Sequence, residues 1–235
     1  MSTPITPGTG GEPQPGGAGK DPKRKFGLVV QGGGALGAYE VGAIEYLYES
    51  GMECAIAAGA SSGAVNAATL AGARGYPPQA LRELWGRFAV DAPIPFVPSI
   101  IDQYWSMFGV PHMYAPRRDY WDALNWTYFS DTSPLKKTLE DVLDWDQVRD
   151  PEHMRLIVSA SGVENAETAY FSNLDPNEPL GPEHVLASCS LPPGFPWTLV
   201  RHRAYWDGRW RDRTDLLHRA TTSTIAPASR TGTRT

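Results

Sequence analysis

The sequence predicts one α/β domain on a mainly parallel sheet, and three observations carry that prediction. A short apolar, β-branched run at Phe26–Gln31 ends in the glycine-rich turn Gly32-Gly33-Gly34. Apolar residues at helical spacing follow, at Val41, Ile44, Leu47 and Tyr48, and Gly51 stops that pattern as a C-terminal cap. A second apolar run, Glu53–Ala58, then leads into a small-residue helical stretch, Ala64–Ala73. Strand, helix, strand, helix in this order calls for right-handed crossovers and parallel strands. A chain of 235 residues with 41% hydrophobic content can bury one core.

Residues 1–25 precede that first strand. Positions 1–22 are rich in Pro, Gly and Thr and have no apolar centre, which predicts a disordered leader rather than a signal peptide. Lys23, Arg24 and Lys25 are taken as the solvated beginning of the strand. Attraction to anionic lipid is the alternative, and three charges would supply only about 3 kcal/mol. Further on, Pro78–Phe88 has helical spacing.

Residues 85–130 hold about half of the chain's aromatics, broken by prolines at 93, 95, 98, 111 and 116. They suggest a cap or insertion. Either its aromatics pack a loop-rich subregion, or they form an acyl-chain or membrane-facing surface.

A helix is expected over Pro134–Leu143, capped by Thr132 or Ser133 with proline at its first position. Met154–Ala160 is expected as a strand, Ala169–Ser172 as its neighbour and Pro182–Ser188 as a short helix. Leu191–Pro196 requires a rigid turn, and Arg203–Trp206 is a short strand ending at Asp207-Gly208. Residues 209–235 change character, with six Arg, seven Thr and no apolar periodicity after Leu217.

Composition excludes some classes of function. A net charge of −5 and a pI of about 5.5 give no basic field for nucleic acid. No apolar run approaches the ~18 residues of a membrane span. The two cysteines, Cys54 and Cys189, make no disulfide framework, read as small buried residues and fit a reducing cytoplasm.

The chemistry concentrates in two motifs. Gly59-Ala-Ser61-Ser-Gly63 has the form of a nucleophile elbow, a sharp strand-to-helix turn that pushes the Ser61 hydroxyl outward. Ser62 is assigned a capping role. Gly32, Gly33 and Gly34 can aim consecutive N–H groups at a developing oxyanion, and removing one such donor costs on the order of 3 kcal/mol of transition-state stabilisation. A rival reading uses Gly32, Gly34 and Gly37 as a dinucleotide fingerprint, with Glu53 in the place of the ribose-binding acid. It leaves the serine elbow unexplained. None of His112, His153, His184, His202 and His218 has a telling setting as a base for Ser61. Asp207 is the better candidate, since an Asp at a strand end followed by Gly208 can face the elbow; an ordinary Asp-Gly turn is the alternative.

These residues resemble the patatin-like phospholipase family over about residues 26–208. The glycine-rich loop matches Gly32–Gly37, the serine elbow Gly59–Gly63, and the Asp-Gly motif Asp207-Gly208. Ala187-Ser-Cys-Ser-Leu-Pro-Pro-Gly-Phe-Pro196 resembles the segment preceding the family's aspartate strand. The resemblance implies a three-layer α/β/α fold and a serine acyl hydrolase acting on lipid esters through a Ser-Asp dyad. Ser61 would be the nucleophile, Asp207 the general base, and the Gly32–Gly34 loop the oxyanion hole. No metal or organic cofactor is implied. The expected partners are an acyl lipid or ester and, transiently, a membrane surface, with no nucleic acid.

Two departures stand out. Leu36 occupies a position where many members carry Arg or Lys, and Arg209 follows Gly208 where the family has Gly or Ala. With the Arg/Thr-rich stretch behind it, the chain is expected to be C-terminally truncated or frameshifted. Asp207 is then expected to be weakly held, making a catalytically inactive lipid-binding relative the first alternative to the active enzyme.

Overall fold

The computed structural model describes residues 24–90 and 109–208. The leader up to residue 23, the aromatics Phe96, Tyr104, Trp105 and Phe108, His218 and the segment 209–235 lie outside the described residues. Among the described residues the order is β1 (Arg24–Val30), α1 (Gly37–Glu49), β2 (Met52–Ala60), α2 (Ser62–Ala71) and α3 (Pro77–Phe88). A short antiparallel pair follows, β3 (Ala115–Pro116) and β4 (Ser130–Asp131), then α4 (Ser133–Val142) and α5 (Trp145–Arg149). The chain continues through β5 (Arg155–Gly162), β6 (Thr168–Ser172), α6 (Pro182–Cys189), β7 (Thr198–Val200) and β8 (Arg203–Asp207).

The α/β class agrees with the sequence prediction. β1, β2 and β5 pair in parallel, joined by helical crossovers. The rest of the sheet is antiparallel and makes it mixed: β6 and β8 both pair antiparallel with β5, and β7 pairs with β8. The reason lies in the connections. Only Arg201 and His202 separate β7 from β8, and both have positive φ, 45° and 70°. A two-residue turn of that kind makes a hairpin, which is necessarily antiparallel. β7 has no strong sequence signature of its own, being only three residues long.

α2 is buried at every position. Its small residues let it lie close over β1, β2 and β5 while it also packs on α3 and α6. Leu81, Leu84, Leu135, Leu139, Leu156 and Val158 fill the core around it. One buried polar group is fully used: Asn66 donates to Gly37 O (2.9 Å) and Glu40 (2.7 Å) and accepts from Trp85 Nε1 (2.8 Å). This ties α1, α2 and α3 together behind the elbow.

α2 contacts both α1 and α6, and these helices pack on one face of the sheet. The other face carries a separate cluster of Ile56, Ala58, Ala60 and Ile157. Among the described residues, the partly buried side chains packed on that cluster, Val29 and Tyr170, come from strands β1 and β6 rather than from a helix. Among the described residues no helix is long and apolar enough to cross a membrane.

Candidate active site

β5 is the spine of the site. Its residues 157–161 pair with β6, so β6 occupies one edge. On the other edge β2 pairs with residues 155–159 and β8 with residues 160–162. β2 therefore runs up this edge until Ala60 faces Ser159, where the chain leaves at Ser61. β8 comes down the same edge until Asp207 faces Ala160. Two strands of opposite direction thus meet end to end, and Ser61 and Asp207 sit at the junction. The aspartate does not reach the elbow across a parallel sheet: it arrives in line with the serine strand, on an antiparallel hairpin.

Ser61 has φ 56° and ψ −134°, a conformation that L-residues rarely adopt. This is the sharp turn of an elbow, and it requires small flanks. A Cβ on Gly59 would stand 2.3 Å from Gly63 O, and one on Gly63 would stand 2.3 Å from Val30 O. Gly32 is equally confined: at φ 68°, a Cβ there would lie 2.4 Å from Ala60 O. The glycine loop and the elbow are therefore nested, backbone against backbone.

The end of α6 clamps this arrangement. Ser61 N–H donates to Ser188 Oγ (2.8 Å), and Cys189 Sγ–H donates to Ser61 O (3.2 Å). Ser190 O accepts from Asp207 N–H (2.9 Å). Three consecutive residues thus hold both members of the pair. Ser188 and Cys189 were not singled out as site residues from sequence, because their contacts to Ser61 span 127 and 128 positions. Only the resemblance over Ala187–Pro196 pointed there. Burial first, and then the charge of Asp207, push the Cys189 thiol well above its ordinary range, so it stays a protonated donor.

Asp207 is buried, and its carbonyl accepts from Ser161 Oγ (3.1 Å). Its main chain is therefore anchored on both sides; the expectation of weak attachment turns on residues 209–235, which lie outside the described residues. Gly208 seats the turn: a Cβ there would lie 2.2 Å from Ser159 O.

The loop glycines divide in role. Gly33 N–H donates to Ser62 Oγ (3.0 Å), so the Ser62 hydroxyl braces the loop rather than capping its own helix. Gly34, at φ 62°, has open space around its missing side chain. Gly37 packs against Trp85 and Ser62.

Ser61 and Asp207 line one cavity of about 360 Å³ together with Gly33, Gly34, Ser62 and Cys189. Met113, Thr132, Leu135, Leu191 and Phe195 complete its mostly apolar wall. No described histidine lines it. Nor does any described aromatic of 85–130: Trp85 and Phe88 belong to α3, Tyr114 packs on Phe195, and Trp126 and Tyr128 flank Arg117.

A family model described as Patatin-like phospholipase matches residues 28–217. No curated protein matches the chain. Among solved structures, the crystal structure of VipD from Legionella pneumophila is similar at 17% identity and a TM-score of 0.43. The likeness covers 81% of this chain and 47% of VipD, so the chain spans about half that protein's length.

Proposed function

The chain belongs to the patatin-like phospholipase family, a family of lipid acyl hydrolases, and on that premise we propose that it cleaves lipid esters through Ser61 and Asp207. The carrying observation is the end-to-end meeting of β2 and β8 on the edge of β5, which brings both residues to one apolar cavity. In this reading residues 26–208 form the catalytic domain.

Asp207 accepts the Ser61 hydroxyl proton as Oγ attacks the ester carbonyl, forming a tetrahedral oxyanion. Collapse expels the alcohol, which takes the proton from Asp207, and leaves an acyl-enzyme. Water, deprotonated by Asp207, then attacks the acyl carbonyl; the acyl–Oγ bond breaks, Ser61 Oγ takes the proton back from Asp207, and the acid is released. Gly34 N–H is the loop donor to the oxyanion, because Gly33 N–H is held by Ser62. Ser62 N–H, at the start of α2, supplies a second donor and the positive end of the helix dipole. The cavity's apolar wall suits an acyl chain. Free, buried Cys54 and Cys189 fit a reducing compartment such as the cytoplasm.

The dinucleotide reading is disfavoured by placement. Glu53 pairs in register with Lys25 at the beginning of β2, whereas Gly32 lies beyond the far end of β1. Seven residues of strand put roughly 20 Å between them. Hydrolysis of a p-nitrophenyl ester tests the proposal. Ser61→Ala should abolish turnover and keep the folded state, and near-wild-type turnover by that variant would contradict it.

A further inference from the structure

The segment between β3 and β4 displays apolar side chains that the proposed chemistry leaves unused. Its base is closed by Arg117 N–H donating to Phe129 O (3.5 Å). The Arg117 guanidinium lies over Trp126 (5.0 Å) and Tyr128 (4.3 Å) and pairs with Asp119. Trp126 Nε1 donates to Asp119 O (3.2 Å), and Asn125 Nδ2 to Asp122 (2.6 Å). These internal contacts make residues 117–129 a compact Ω-type loop that holds its tip outward. The tip, Tyr120–Asn125, is two short 3₁₀ turns joined by a kink at Asp122, and on it Trp121 is 87% exposed and Leu124 fully exposed.

This apolar surface continues toward the Ser61 cavity. Phe129 is exposed at the loop's base, and its N–H is shared between Pro193 O (3.2 Å) and Gly194 O (3.3 Å). The same turn carries Leu191, which is exposed while also lining the cavity. Cations flank the loop. Arg118 and Lys137 line an adjoining depression and have no ion-pair partner among the described residues, whereas Arg117 is matched by Asp119.

A two-residue apolar tip is far smaller than the roughly 800 Å² per partner of a stable protein interface. A bilayer asks for less. Tryptophan favours its interfacial region, a leucine gains by entering the acyl chains, and local cations meet headgroup phosphates. The chain's net charge of −5 gives no general attraction to an anionic surface, so this local arrangement must supply the contact.

We infer that loop 117–129 is an interfacial anchor for an anionic phospholipid bilayer. Trp121 and Leu124 enter the acyl region, Arg118 and Lys137 meet phosphates, and the mouth of the Ser61 cavity is brought to the lipid. This rests on the lipid-hydrolase reading above.

The test is co-sedimentation with phosphatidylcholine vesicles, with and without phosphatidylserine. The Trp121→Ser/Leu124→Ser double variant should bind about a hundredfold more weakly, about tenfold for each side chain. Its hydrolysis of vesicle lipid should fall in step, while turnover of soluble p-nitrophenyl butyrate is retained. Arg118→Glu/Lys137→Glu should lose the preference for phosphatidylserine. Wild-type protein that ignores vesicles would overturn the inference, as would a double variant that binds them unchanged. So would a double variant that changes only the oligomeric state, which would assign the tip to a second copy of the chain. If wild-type protein leaves the soluble ester intact, the hydrolase reading fails, while vesicle binding still decides the anchor.

Discussion

Ser61 holds a backbone conformation that isolated L-residues avoid, and its neighbours over-determine it. The Ser188 hydroxyl accepts its N–H, and its carbonyl accepts from the Cys189 thiol and from Ala64 and Val65 N–H. Ser188→Ala removes the acceptor and leaves a poorly solvated N–H unpaired, which costs about 1–3 kcal/mol. For the nucleophile proposed above, a shift by ~1 Å lowers the rate by roughly a hundredfold. Ser188→Ala should therefore lower kcat at nearly unchanged KM, as measured by ester turnover, whereas a purely structural role would lower only the melting temperature. Ser61 was legible in the sequence because the elbow is local: glycine, serine and glycine within five residues. Ser188 was not, because its role depends on where α6 ends relative to β2, a long-range contact without local signature.

At the scale of elements, the site depends on β2 and β8 sharing one edge of β5. Gly208 sits where β8 passes Ser159, with no room for a side chain. Gly208→Ala would force the end of β8 away from β5, a change on the order of 1–3 kcal/mol, and carry Asp207 with it. Melting temperature and turnover should both fall, and a fully active, fully stable Gly208→Ala protein would show that β8 is not seated in this way. The parallel trio β1, β2 and β5 was readable from apolar runs separated by helical spacing. The reversed direction of β8 was not. It is set by the turn at Arg201 and His202, two residues that turn chemistry does not favour at positive φ. The aromatic density of 85–130 was plain, but composition could not say which rings would be buried. α3 takes Trp85 and Phe88 into the core region, while the 117–129 loop leaves Trp121 in solvent.

For the molecule as a whole, both thiols are buried within a single core. Burial pushes the Cys54 thiol up to about 12 from an ordinary 9.0, and Cys189 is raised further. The neutral form is thus favoured in the folded state. Above about pH 9 the unfolded chain gives up thiol protons that the folded chain retains, so stability should fall as pH rises toward 12, by about 1.4 kcal/mol per pH unit for each thiol. Denaturant midpoints measured between pH 8 and pH 11 check this, and replacing Cys54 with Ala should remove part of the slope. The elbow and the glycine loop grow from that same core, which explains why they sit backbone to backbone with no adjustable side chain between them. The central claim is that this scaffold presents a reactive Ser61 paired with Asp207. Fluorophosphonate labelling followed by peptide mass analysis tests it most directly. Wild-type protein should be modified at Ser61 alone, Ser61→Ala should remain unmodified, and folded Asp207→Asn should label much more slowly. Folded wild-type protein that resists the probe, or that labels equally fast without the Asp207 carboxylate, would contradict the account.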